Sequence, residues 1–147
     1  MPQRKKKPKS HKTLIPKILK KARITVDFKI EGIMWKDSKF INDKDRELIL
    51  KKCKDCPEDK IVIVHGTMTM AETANYINKK KLKKTIVLVG SAIPANKQNS
   101  DALFNIGAAI TAVQILPFGV YVTMNGKIFP GSDVRKNFET GYFENSK

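Results

Sequence analysis

The chain has 147 residues with 41% hydrophobic content, enough for one domain with a sizeable core and too few for two full α/β domains. It carries 29 basic against 14 acidic side chains, a net charge of +15, yet no apolar run approaches the roughly 18–20 residues of a membrane span. Ten of the basic residues lie in the first 23, ahead of the first acidic residue, Asp27, which leaves an ordinary +5 on the remaining 124.

Residues 1–12 combine Pro2 and Pro8 with lysines and almost nothing apolar, so they are expected to form a disordered basic tail. One α/β domain is then expected over residues 13–147. The tract from Arg4 to Lys9 is of a kind that binds nucleic acid, but such tracts are weakly specific. The rest of the chain has no zinc-finger, RRM or KH signature, so nucleic acid is expected as a partner only through the tail. Pro16 and the lysines interrupt the apolar residues just after the tail, so no secretory signal is expected there, and a soluble, cytoplasmic protein without membrane contact is expected.

Leu14 to Ala22 reads as a short basic helix. Ile24, Val26, Phe28 and Ile30 then alternate with polar residues, which predicts a half-buried strand. Asn42 or Asp43 can cap a helix whose end is rich in lysine, a charge order that suits the helix dipole. That helix closes on Cys53 and Cys56. Zinc needs four ligands, and His11 and His65 stand alone, so no metal or other cofactor is expected. A redox C-x-x-C opens a helix rather than closing one, and these residues read as two plain thiols.

Ile61–Val64 is a continuous β-branched run, the pattern of a parallel strand buried on both faces. Met70 to Lys80 follows as a helix, then Ile86–Val89 as a second buried strand. Ser100 or Asp101 caps a helix predicted to run through Leu116. Gly119–Met124 forms another strand, Asn125-Gly126 a tight turn, and Lys127–Phe129 a return strand. The alternation implies a doubly wound, mostly parallel sheet with helices on both faces, of flavodoxin or Rossmann-like type.

Ligands of such sheets bind beyond the carboxyl ends of the strands, which brings together His65-Gly66-Thr67-Met68-Thr69 and Gly90-Ser91-Ala92-Ile93-Pro94. Neither loop is a phosphate-binding fingerprint. Thr67, Thr69 and Ser91 are candidate ligand contacts, and a threonine nucleophile would need a base beside it.

IVIVHGTMTMAETANYI, IVLVGSAIP, SDALFN and GVYVTMNGKIFPGSDVRKN, in this order, resemble the bacterial asparaginases and their short, single-domain members. The resemblance runs from about Pro16 to Glu144. It implies hydrolysis of the side-chain amide of asparagine to aspartate and ammonia by a threonine nucleophile. A second threonine, an aspartate and a lysine support that nucleophile. Position by position, Thr67 matches the second threonine and Lys136 the lysine. Ser38 matches a serine that binds the substrate carboxylate, while Gly66, Ser91 and Ala92 match the pocket edge.

The departures are specific. Met68 stands where the family has its aspartate, which also holds the substrate ammonium, and Phe40 replaces a further acidic residue. Losing such a charge-assisted partner costs about 1.5–3 kcal/mol per bond. The family's TGGTI strand and nucleophile loop are not found ahead of Pro16, so the chain reads as truncated and short of its first central strand.

The resemblance with these departures implies a degenerate amidohydrolase with weak activity or none; the alternatives are a non-catalytic binding protein on that fold or a nucleic-acid-binding protein acting through its basic tail. A small amide or amino acid is the expected ligand. Without the first strand, residues 25–32 must pair with 61–64 or leave an exposed edge, so marginal stability or a homo-oligomer is expected.

Overall fold

The computed structural model describes residues 14–147, so the tail expected over residues 1–12 lies outside the described residues. The chain divides into two compact units, Met1–Trp35 and Lys36–Lys147.

In the first unit, helix α1 (Ile15–Lys21) begins with a proline in its first turn, where the missing N–H costs nothing. It ends at Arg23, whose left-handed backbone (φ 55°) closes the helix. No strand follows. Residues 24–35 form neither helix nor strand, and Phe28 and Ile30 are 55% and 40% exposed. This corrects the strand predicted from the alternation. Period-two patterning marks a segment suited to a sheet, but a strand exists only where a neighbouring strand takes up its N–H and C=O groups.

The second unit holds the sheet. A one-turn 3-10 helix, Ser38–Phe40, leads into α2 (Asp43–Asp55). Asn42 caps α2 as its sequence suggests: the Asn42 side chain accepts from the Asp45 N–H at 3.1 Å, and Asp45 accepts from the Asn42 N–H at 3.0 Å. At the other end, Lys84 Nζ donates to the carbonyls of Cys53 and Cys56, both at 2.6 Å. Both cysteines are free thiols. Burial pushes the Cys53 thiol up to about 11, the mark of an inert one.

Strands β1 (Lys60–Val64), β2 (Thr85–Val89), β3 (Gly119–Met124) and β4 (Lys127–Pro130) form one mixed sheet in that order. The first three are parallel, and β4 returns antiparallel to β3. Asn125 and Gly126 both adopt positive φ (49° and 86°), as a two-residue hairpin turn requires. Helix α3 (Met70–Asn78) packs on β3 and β2, and α4 (Ala102–Val113) on β2 and β1.

All five residues of β2 are buried, and since successive side chains point to opposite faces, both faces of β2 are covered. β1 differs from its expected double burial. Ile61, Val62 and Ile63 are only half-buried and Val64 is 51% exposed. Among the described residues β1 pairs with β2 alone, so its other edge is open. α4 stops at Val113, short of the expected Leu116, and the chain tightens beyond it: the Gln114 and Ile115 N–H groups donate to the Thr111 and Ala112 carbonyls at 3.3 and 3.2 Å, three residues back rather than four.

A second, two-stranded sheet lies beyond the predicted elements. β5 (Arg135–Lys136) pairs antiparallel with β6 (Phe143–Glu144). Asn137 shapes their turn, its side-chain oxygen accepting from the N–H groups of Glu139 and Thr140. This hairpin is what carries Lys136.

Candidate functional site

The carboxyl ends of β1, β2 and β3 meet at one edge of the sheet, as the parallel order requires. The His65 N–H donates to the Val89 carbonyl at 2.8 Å, which carries the ladder one residue past β1. Gly90 lets the two loops close on each other. A Cβ there would overlap the His65 carbonyl oxygen, lie 2.8 Å from Met70 Cε and stand 3.4 Å from Thr67 Cγ2.

The loop after β2 is held by Asp101. Its carboxylate accepts from the Ala92 and Ile93 N–H groups at 3.1 and 3.0 Å and from the Asn125 side chain at 3.0 Å. Burial raises the Asp101 pKa, but the bonds from Ile93, Ala92 and Asn125 outweigh it and hold the carboxyl below its ordinary value. Asp101 therefore stands at the start of α4 without capping it. Ser100 does that, accepting from the Ala102 N–H at 3.1 Å.

Asn105, fully buried, joins the same region. Its side chain donates to the Gly90 carbonyl at 2.9 Å and to Asp101 at 3.0 Å, and accepts from the Asn125 N–H at 3.0 Å.

Thr67 and Lys136 are 69 positions apart in the chain and meet here. Lys136 Nζ lies 2.9 Å from Thr67 Oγ1 and donates to it. The ammonium also sits 5.5 Å from the centre of the Phe138 ring. No carboxylate pairs with Lys136 in any ion pair among the described residues. Both side chains are half-buried, and Met68 beside them is 42% exposed.

Ser38 is brought to the same loop from the other side. Its Oγ accepts from the Met68 N–H at 3.1 Å, and its carbonyl accepts from Thr69 Oγ1 at 2.6 Å. A Cβ on Gly66 would come within 2.6 Å of Ser38 Oγ, so glycine is what lets the serine in. Thr69, a candidate ligand contact in the sequence, is thereby committed to the backbone. Ser91 is half-buried next to Gly90, and Ala92 is joined to Asp101 rather than to Thr67 or Lys136.

Two buried groups, Arg46 and Thr73, have no counterpart among the predicted residues. His65, Thr73 and Arg46 form a connected chain behind the Gly66–Thr67 loop, so His65 is not isolated. They come from three separate elements, and only the fold joins them. Among the described residues no cluster of His, Cys, Asp and Glu is fit to hold a metal, and no helix is long and apolar enough to cross a membrane.

The sequence matches the family described as "Asparaginase, N-terminal" over residues 3–143. The chain belongs to the asparaginase family. A glutaminase-asparaginase of Pseudomonas fluorescens biotype A is 33% identical over 124 residues, which is 78% of this chain and 34% of its own. L-asparaginase 2 of Escherichia coli K12 is 37% identical over 109 residues, 70% of this chain and 31% of its own. Among solved structures, the thermostable L-asparaginase from Thermococcus kodakarensis superposes with a TM-score of 0.77 at 33% identity, covering 88% of this chain and 43% of that one. This member of the asparaginase family thus spans about a third to two-fifths of the length of those relatives.

Proposed function

We propose that this chain forms an asparaginase-type amide site on Thr67 and Lys136, degenerate in turnover. The contact of 2.9 Å between Lys136 Nζ and Thr67 Oγ1 carries the reading. An ammonium has three donors and no acceptor, so in that state Lys136 orients the Thr67 hydroxyl but cannot take its proton. What the pair offers is a fixed hydroxyl and a positive charge for the carboxylate of a small amide or amino acid. Met68 provides no acceptor for a substrate ammonium, which weakens the claim of asparagine in particular.

Ammonia release from asparagine and glutamine by the purified chain tests this. Loss of one acid–base partner costs about 10²–10⁴-fold in rate, so turnover is expected to be slow or absent. Asparagine is expected to shift the NMR signals of Thr67 and its neighbours, and Thr67→Ala and Lys136→Gln to abolish that shift. Brisk turnover lost in Thr67→Ala would overturn the degenerate reading. Absence of any shift would overturn the binding site. A cytoplasmic setting belongs to the same proposal, since the free thiols Cys53 and Cys56 suit a reducing compartment.

A homo-oligomer is also part of it. β1 is β-branched from Ile61 to Val64 and has no proline, and Lys60 at its start is the single charge along its unpaired edge. A second copy pairing along β1 would complete the sheet. Sedimentation is expected to show mass rising with concentration, and a monomer at every concentration would refute the pairing.

A further inference from the structure

His65 lies between β1 and the Gly66–Thr67 pair, and its ring is buried among groups that the Thr67–Lys136 contact does not use. The Gly66 carbonyl can only accept, so Nδ1, 2.6 Å away, carries the ring proton. Nε2 of the neutral ring is then an acceptor, and at 2.9 Å it receives the Thr73 hydroxyl. Thr73 Oγ1 accepts in turn from Arg46 Nε at 3.2 Å. The rest of the guanidinium is fixed by the Ile41 carbonyl at 3.2 Å and by Asp43 at 3.0 Å. Donation therefore runs in one direction, from Arg46 to Thr73 to His65 to Gly66, and it requires a neutral imidazole.

We propose that His65 is a positioning residue that latches the Gly66–Met68 loop, and that proton uptake by its ring opens the latch. A proton on Nε2 would turn an acceptor into a donor facing the Thr73 hydroxyl. That hydroxyl already receives Arg46, and it could take both only by giving up its own donation. The charged groups around the ring are Arg46 from α2, which opposes a second positive charge, and Glu72 from α3, which favours it. Asp43 acts on the ring only through Arg46.

Burial is the largest influence on the ring and Arg46 adds to it, so the pKa of His65 lies below its ordinary 6.5 despite the Gly66 bond and Glu72. In the opened loop the ring regains the ordinary value. The sign follows: the neutral ring's contribution is fully present above about pH 6.5 and is lost as pH falls below it. The opening equilibrium rises as pH falls through that window, by no more than tenfold per pH unit, until the closed-state pKa is reached.

The latch deepens the amide-site reading, since opening would loosen Thr67 and the bond from the Met68 N–H to Ser38. Its test needs no ligand. Amide hydrogen exchange of the full chain, followed by NMR from about pH 7.5 to about pH 5 and corrected for intrinsic exchange, reads the Met68 N–H directly. Protection at Met68 is expected to fall as pH drops below about 6.5, by up to tenfold per pH unit, while Val87 in β2 holds. His65→Gln, whose amide can donate to Gly66 and accept from Thr73, is expected to keep Met68 protected without pH dependence.

A Met68 signal that ignores pH in the unaltered chain would overturn the latch, as would equal losses at Met68 and Val87. So would a pH dependence that survives in His65→Gln. The unaltered chain decides the first two outcomes even if the variant does not fold. The latch can therefore fail while the amide site stands, and the reverse.

Discussion

Gly90→Ala is expected to destabilise the chain by about 3 kcal/mol or more, and Gly90→Val to prevent folding. The added Cβ would overlap the His65 carbonyl oxygen, and neither side can retreat cheaply. The His65 N–H is fixed to the Val89 carbonyl at 2.8 Å, and Met70, whose Cε lies 2.8 Å from the Cβ position, is fully buried. Gly107→Ala supplies the contrast. A Cβ there meets nothing within 4 Å, and the residue lies inside α4. Relief of glycine's backbone entropy should stabilise that variant by about 0.5–1 kcal/mol. Urea unfolding of both variants reads the pair. An unchanged midpoint for Gly90→Ala would show that the two loops are looser than the contact implies.

Asn105→Ala is expected to cost about 2–4 kcal/mol. The truncation opens a cavity and leaves the Gly90 carbonyl and the Asn125 N–H without their side-chain partner. Asn105→Asp should be as harmful at neutral pH, because a carboxylate would face both the Gly90 carbonyl and the Asp101 carboxylate. Chemical denaturation together with the exchange rate of the Asn125 N–H checks the claim. A variant that unfolds at the native midpoint would remove Asn105 from its place as the joint between the loops after β2 and β3.

How far the sequence carried these features depended on whether a feature was local. The β-branched runs of β1 and β2, the Asn42 cap and the Asn125-Gly126 turn are set by neighbouring residues, and each is where its pattern indicates. Burial and pairing are not local. Ile24 to Ile30 has the alternation of a strand but no ladder, and β1 has the composition of a central strand but one open side.

The site divides along the same line. Gly66 and Gly90 announce close approach by themselves, whereas Lys136 was tied to Thr67 only through the resemblance. The short β5–β6 hairpin that delivers it has no periodic signal. Arg46, Thr73 and His65 are unremarkable one at a time, and Asp101 reads as a cap although its carboxylate serves a loop.

The proposed pairing of copies along β1 would depend on ionic strength. Two chains of charge +15 repel each other over a Debye length of about 8 Å at physiological salt, yet paired strands must come within about 4.8 Å. Added salt screens that repulsion and so favours pairing between copies. The same salt weakens any contact of this cationic chain with an anionic polymer, because released counterions then drive binding less. Association with itself and association with such a polymer therefore respond to salt with opposite signs.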